Sequence, residues 1–594
     1  MILQALAGYY QRMAQDNHFD VAPEGFEKKA IPFVIVLDSE GHFVDLLDTR
    51  EGEGKKKASR IFTVPKGVKK TSGIAANLLW DTTNYVLGIP KNDPHKNEDE
   101  LHEKAIEQHR AFVKKITDSF VSAGAMVGIR AVLAFCAGDK SAILAHPSWN
   151  DLAESGANVT FKLVGDSCLI CQRQEIIDIL SANSDNGEQS GKAQVCLVSG
   201  NEDVPIRLHT AIKGVWGAQS SGANIVSFNL DAFCSYAKEQ GMNAPVGQKA
   251  EFAYTTALNI LLARESRQKL AVGDMTIVFW AEQPTVFEDI FADVFGEPSK
   301  ENPEQHYAAI RALYSGPESG AQPLEQDYTR FYVLGLAPNA ARIAIRFWHA
   351  GTVGETARHI KQHFADCAIV HGPNQPEYLS LFRMLVNTAA QGKAENILPN
   401  LAGDFMKSIL MGTAYPKAAL NAVINRLRAE QAKNDQNGKS VPNVTYPRVA
   451  LIKAILCREA RYYHHLQKEV DMALDPDNIN IGYRLGRLFA VLEKIQEEAS
   501  PGINSTIRDR FYGAASGVPV TAFPQLMKLK NHHLSKLENR GRAVNLERML
   551  GDIMSGIDDF PVHLSLQDQG RFAVGYYHQR QEFYKKSDTP GVSQ

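Results

Sequence analysis

Strands and helices alternate over residues 1–375 and helices alone follow, so the sequence predicts an α+β chain: a mixed α/β N-terminal region ahead of an all-helical C-terminal bundle. Three observations support this. Short apolar runs bounded by turn residues fill the first part, apolar residues at helical spacing fill the part after Pro376, and 594 residues exceed the usual size of one domain. The expected division is 1–375, a mixed α/β region; 376–471, a helical connection; and 472–594, a helical bundle.

The chain opens on Ile2, Leu3, Leu6, Tyr9, Tyr10 and Met13, which recur at helical spacing with Gln4 and Gln11 between them. This predicts an amphipathic helix rather than an export signal. Residues 31–37 and 43–48 are apolar runs separated by Ser-Glu-Gly-His, the pattern of a β-hairpin. Further strands are predicted at 159–164, 194–198, 225–228, 275–280, 331–336 and 342–348, with helices at 98–120, 248–264 and 353–364. Polar loops are predicted at 183–192 and 315–327. After Pro376, Tyr378, Leu379, Phe382, Leu385 and Val386 start the helical pattern, and 434–447 is its one clear interruption. Ile481, Leu485, Leu488, Leu492 and Ile495 alternate spacings of four and three, one apolar stripe of a bundle helix.

Composition narrows the class. With 44% hydrophobic and 22% charged residues the chain is an ordinary globular protein, and seven cysteines, an odd number without regular spacing, fit a reducing compartment. The most apolar stretch, 121–137, contains Arg130 and is too short to cross a bilayer, so no membrane association and a cytoplasmic location are expected.

The net charge of -3 hides a local asymmetry. Residues 55–70 carry Lys55, Lys56, Lys57, Arg60, Lys66, Lys69 and Lys70 and no acid. Thr71, Ser72, Gly73, Asn77 and Asn84 follow at once. Lysines neutralise phosphates, short hydroxyl and amide groups reach phosphates or base edges, and glycine admits a close backbone approach. A lysine-rich solvated loop before an ordinary amphipathic helix is the alternative.

Catalytic signatures fail one by one. Residues 187–193 lack the glycine spacing of a phosphate-binding loop, and His102-Glu103 has Ile106 where a helical zinc site needs histidine. In Ala218-Gln-Ser-Ser-Gly222 alanine replaces the first glycine of a nucleophile elbow. Cys168 and Cys171 have ligand spacing and Cys196 is a possible third, yet no second pair exists and a set of small buried hydrophobes is the better reading. His532 and His533 are adjacent on a helix and cannot jointly grip an ion; they read as a solvated or phosphate-facing pair. No catalytic residue, metal site or cofactor is therefore expected. Scattered acids leave a nuclease open, and a scaffold without DNA readout is a third possibility.

Lys69-Lys-Thr-Ser-Gly-Ile-Ala-Ala-Asn77 and Tyr85-Val-Leu-Gly88 resemble the N-terminal signature of the large subunit of the type I-C CRISPR Cascade complex. Ile212-Lys-Gly-Val-Trp-Gly-Ala-Gln-Ser-Ser-Gly-Ala223, Phe252-Ala-Tyr-Thr-Thr-Ala-Leu258 and Phe331-Tyr-Val-Leu-Gly-Leu-Ala-Pro-Asn-Ala-Ala-Arg-Ile343 are similar to blocks of the same family. With Ile2-Leu-Gln-Ala-Leu6 and Gly570-Arg-Phe-Ala-Val-Gly-Tyr576 the resemblance spans nearly the whole chain.

The resemblance implies a non-catalytic subunit that binds target double-stranded DNA, reads the protospacer-adjacent motif and supports the R-loop, while guide RNA reads the rest by pairing. It implies crRNA, the Cascade backbone and crRNA-processing subunits, and a recruited helicase-nuclease as partners. For motif contact Lys69, Lys70, Thr71, Ser72 and Asn77 come first. The second element is Lys213, Gln219, Ser220, Ser221 and Asn224, in a loop where Gly214, Gly217 and Gly222 admit a groove; a tight, internally satisfied turn is the alternative. Lys55, Lys56, Lys57, Arg508, Arg510, Lys528 and Lys530 are candidate backbone contacts.

Arg342, Arg346 and Trp348 share one strand face by even spacing, lining a nucleic-acid channel or pairing with acids across the sheet. The resemblance also suggests that the C-terminus is made separately as a small subunit, with Met472 as the internal start. From Asn504 to Arg548 that product would carry eight bases against three acids, suited to tracking a nucleic-acid backbone or simply a solvated face.

Overall fold

A computed structural model describes the chain except residues 17–20, 53–57, 69, 71–72, 92–96, 121–125, 187–192, 297–303, 315–323, 436–437, 439, 467–468 and 586–594. Lys55, Lys56, Lys57, Lys69, Thr71 and Ser72 thus lie outside the described residues, as does most of the 183–192 and 315–327 loops. Two compact units form: one from residues 6–208 and 230–256, the other from 1–5, 209–229 and 257–594.

In the first unit Phe33–Leu37 is buried along its whole length, as a continuous apolar run in a central strand should be. It pairs antiparallel with Phe43–Asp48, completing the expected hairpin, and parallel with Asn158–Leu163, whose far side takes Trp80–Thr82. Two helices supply the apolar cover: Glu98–Ser119, opened by the Asn97 side chain accepting the Asp99 N–H, and Val127–Ala137. Phe112 and Phe135 meet Phe161 with ring centroids 6.4 and 6.0 Å apart. Phe26–Ala30 and Ile61–Pro65 form a separate antiparallel pair.

The second unit holds an antiparallel meander: Lys269–Val272, Met275–Ala281, Arg330–Asn339 and Arg342–Thr352 in that order. Phe279, Phe287, Phe291 and Phe331 pack on one face, with Phe279 and Phe291 centroids 4.5 Å apart. Trp280, Tyr332 and Trp348 pack against one another on the opposite face, Tyr332 and Trp348 stacked at 5.4 Å. A bulge corrects one expectation here. Gly335 pairs with Phe347 but Leu336 pairs with Ile345, which leaves Arg346 as the extra residue. A bulge breaks the two-residue alternation. Arg342, opposite Asn339, therefore lies on the face of Ala344 and Phe347, whereas Trp348 lies on the other.

The sheet ends in a capping box, the Thr352 hydroxyl accepting the Glu355 N–H at 3.1 Å as Val353–Cys367 begins. Residues 225–228 form no strand: Asn224 makes a single bridge to Arg342 and the chain then bends away half-buried. The strand expected at 194–198 shortens to Gln194–Val195 because a turn starts at once, the Gly200 N–H reaching the Cys196 carbonyl at 2.9 Å.

Beyond Thr352 the described residues form no ladder strand. Ile481–Ala499 is the hub of the helices and is buried on more than the one apolar stripe, with Tyr483, Phe489 and Val491 enclosed as well as Leu485 and Leu488. Its glycines explain how closely Leu566–Glu582 approaches. A Cβ on Gly486 would stand 2.0 Å from the Phe572 carbonyl oxygen, so only hydrogen fits.

Neither 375 nor 471 separates compact units, since 257–594 is continuous in one of them. Across position 471 the Val370 N–H reaches the Met472 carbonyl at 2.8 Å and Arg571 Nε reaches Glu469 Oε1 at 2.6 Å. No described helix is long and apolar enough to cross a membrane.

Candidate nucleic-acid interface

After Pro65 the basic segment leaves its strand and is fastened from within. The Trp80 indole N–H donates to the Pro65 carbonyl at 2.7 Å, and the Val68 N–H donates to Asn77 Oδ1 at 2.9 Å. Asp81, fully buried, accepts the backbone N–H groups of Asn77 and Thr82 and holds Lys70 Nζ at 2.7 and 2.8 Å. The same ammonium lies 3.6 Å from the Tyr85 ring centroid. Lys66 reaches buried Glu251 at 3.4 Å, and Lys115 donates to the Ala76 carbonyl at 2.9 Å. Burial pulls the Lys115 ammonium below its usual pKa, with Asp81 opposing and Lys70 reinforcing the shift.

Lys70 and Asn77 are therefore internal fasteners of this loop as the chain folds. They brace a turn that includes Gly73, which has a positive φ of 76° and open space where a Cβ would stand. Arg60 and Lys162 face a nearby cleft of about 470 Å³, also lined by Phe62 and Thr63, and neither has an acidic partner among the described residues. The short antiparallel pair of Arg50–Glu51 with Ala58–Ser59 adjoins it, and Glu51 lines the cleft.

In the other unit residues 212–223 make a closed loop on the meander sheet. Ile212 and Ala223 exchange both backbone hydrogen bonds at 2.9 Å, and turns close at 215–218 and 219–222. The Lys213 N–H is taken by Asn259 Oδ1 at 2.9 Å and the Trp216 N–H by Thr276 Oγ1 at 2.8 Å. Gly214 has φ +87°, and a Cβ there would fall 2.4 Å from the Leu262 carbonyl oxygen. The backbone is thus satisfied inward while Lys213, Gln219, Ser220 and Ser221 stay exposed. Asn224 differs, since its side-chain amide donates to the His209 carbonyl at 2.8 Å. Trp216, 72% exposed in the same loop, is a further contact candidate, which the sequence signals only by its place between Gly214 and Gly217.

The C-terminal bases divide as well. Arg508 is buried against Asp509 at 2.9 Å, Arg542 holds Glu498 at 2.8 Å and Lys530 stands 4.0 Å from Glu547. Arg510, Lys528, Lys536, Arg540 and Arg548 are exposed without an acidic partner among the described residues.

The other chemical candidates do not assemble. Cys171 Sγ faces the Thr63 carbonyl, whereas Cys196 Sγ accepts the Gly247, Val198 and Ser199 N–H groups at 3.2 to 3.5 Å. No group of three or more His, Cys, Asp or Glu poised for a metal occurs among the described residues. The His532 and His533 rings stand 5.8 Å apart, the first exposed and the second half-buried.

The arrangement presents rigid polar loops with selected exposed cations. No curated protein matches the chain in a sequence search. The family model described as CRISPR-associated protein (Cas_Csd1) matches residues 6–584. That match takes in the braced basic loop, the glycine-fixed loop and the helical bundle together, and the chain belongs to this family of CRISPR-associated proteins.

Proposed function

We propose that this protein is the non-catalytic large subunit of a type I-C CRISPR Cascade complex. In this reading it binds target double-stranded DNA, recognises the protospacer-adjacent motif and supports R-loop formation and recruitment of the helicase-nuclease. The observation that carries the reading is the 212–223 loop. Its backbone bonds are committed inward, so Lys213, Gln219, Ser220 and Ser221 are held outward at fixed positions with their polar groups available. Loops on rigid scaffolds suit contact with bases, and an adjacent cation suits a phosphate.

Lys70 and Asn77 act in this reading by bracing the described turn around Gly73, Lys69, Thr71 and Ser72 contribute to motif contact, and Arg60, Lys162 and the exposed C-terminal bases follow backbones of DNA or crRNA. The partners are crRNA, the backbone and crRNA-processing subunits, and a small subunit translated from Met472.

The test is a reconstituted complex challenged with target duplexes carrying a randomised flanking motif. The unaltered complex enriches one motif, and Gln219→Ala/Ser220→Ala/Ser221→Ala lowers that preference at least tenfold. Equal binding to all motifs by the unaltered complex overturns motif reading. Cleavage of DNA by the purified chain in magnesium or manganese, abolished by changing one acid, overturns the non-catalytic assignment.

A further inference from the structure

In the first unit, residues 194–208 and 230–247 fold against each other. The Leu197 N–H reaches the Pro245 carbonyl at 2.9 Å, the Ile206 N–H the Val246 carbonyl at 2.9 Å and the Gly241 N–H the Arg207 carbonyl at 3.0 Å. The surface of this small element is unusually apolar: Val195, Leu197, Leu208, Leu230 and Tyr236 are all exposed.

Tyr236 is the extreme case, 94% exposed in a held conformation. Tyr236 and Ala237 both have φ +53°, a left-handed backbone that residues with a Cβ seldom adopt. Asn243 maintains it, accepting the Ser235 N–H at 2.9 Å and donating to the Lys238 and Gln240 carbonyls at 3.0 Å. A strained backbone that projects an aromatic ring into solvent persists only where its surroundings over-determine it, and such strain gathers at binding sites.

Charge distinguishes the occupant. These two segments carry four acids, Glu202, Asp203, Asp231 and Glu239, against Arg207 and Lys238. That balance repels phosphodiesters. An exposed aromatic anchor with apolar neighbours and an acidic rim instead matches a protein surface with an apolar pocket edged by lysine or arginine.

We propose that the Tyr236 loop is a docking element for another protein subunit of the assembly, its ring entering an apolar pocket with a basic rim. The proposal rests on the reading of the chain as a subunit of an effector complex. The test places the photoreactive p-benzoylphenylalanine at position 236 of the full chain, co-expressed with crRNA and the backbone and crRNA-processing subunits. Irradiation yields an adduct with one of those proteins. Tyr236→Ala lowers retention of that subunit at least tenfold without shifting thermal unfolding of the chain, and Asp231→Lys/Glu239→Lys lowers it too.

Adducts only with RNA or DNA, or no adduct in an assembled complex, overturn the proposal. Stronger association on charge reversal overturns it as well, because that is the response of a nucleic-acid contact. Failure of the unaltered chain to purify with crRNA or any of these subunits defeats the effector-subunit reading itself, and the docking proposal with it.

Discussion

Lys70 Nζ lies 2.7 Å from Asp81 Oδ1, and the carboxylate it serves has no solvent exposure. Asp81 also accepts two backbone N–H groups, so one acid organises the turn that a sequence window shows only as basic. Removing the ammonium leaves a buried carboxylate without its charge partner, the costly half of breaking a buried pair. Lys70 itself is partly exposed, which reduces the loss. Lys70→Met is expected to destabilise the first unit by about 1–3 kcal/mol. Chemical denaturation of the full chain measures it, and an unchanged midpoint would refute the bracing role.

Lys213 provides the contrast, an exposed cation without an acidic partner among the described residues. If it contacts a phosphate, Lys213→Ala lowers the slope of log K against log salt by about one unit, whereas Lys70→Met changes it little. Titrations of the assembled complex across a salt series separate the two. Equal slopes for both variants and the unaltered complex would remove Lys213 from the interface.

Gly214 tests the rigidity of the 212–223 loop. Its φ of +87° and a Cβ position 2.4 Å from the Leu262 carbonyl leave no room for alanine. Gly214→Ala is expected to cost about 1–3 kcal/mol of local stability and to weaken motif preference more than overall DNA affinity. Hydrogen exchange at 212–223 and competition between duplexes with different flanking motifs check the two effects. Preserved protection and preserved preference together would contradict the loop's proposed role.

Buried histidines set an acid limit on stability. Burial is the main cause that holds His363 and His578 at about 3 and His349 at about 4, against an ordinary value of 6.5. Below pH 6.5 the unfolded chain gains protons that the folded chain refuses, so stability rises with pH and falls on acidification from 6.5 toward those folded values. Each such group removes about 1.4 kcal/mol per pH unit well inside that window. Thermal midpoints between pH 7 and pH 5 should fall steeply, and His363→Gln should flatten the decline. A flat profile would exclude this account.

Asp366, also in the second unit, acts at lower pH, its stabilisation being lost only once the pH falls below the ordinary carboxylate range. Burial raises its carboxyl, but Arg461 at 2.6 Å and Arg458 at 2.9 Å outweigh burial and hold it below the ordinary range. Asp366→Ala strands the buried Arg458 guanidinium and is expected to cost about 3–5 kcal/mol, measured by urea denaturation. A loss below about 1 kcal/mol would show the network to be dispensable.

An internal start at Met472 would release Ile481–Ala499 together with every later helix. Met472→Leu should abolish a short C-terminal fragment detected by intact mass in expressing cells. A fragment that persists with an unchanged N-terminus, or none in the unaltered strain, refutes that start.

Local pattern determined much of this protein. The Phe33–Leu37 hairpin strand, the meander strands and the helices after Pro376 follow from apolar spacing that each segment carries within itself. The glycines of the 212–223 loop were legible for the same reason, since a left-handed turn demands them wherever it lies. What only tertiary structure decided is which charges remain available and which side chains share a face. Lys66 is met by Glu251, 185 positions away, and Arg508 finds Ser440 as well as Asp509. A bulge of one residue moves Trp348 off the face of Arg342, and Asn243 turns Tyr236 outward. Electrostatic and packing energies depend on distance through space, and the sequence records distance along the chain only.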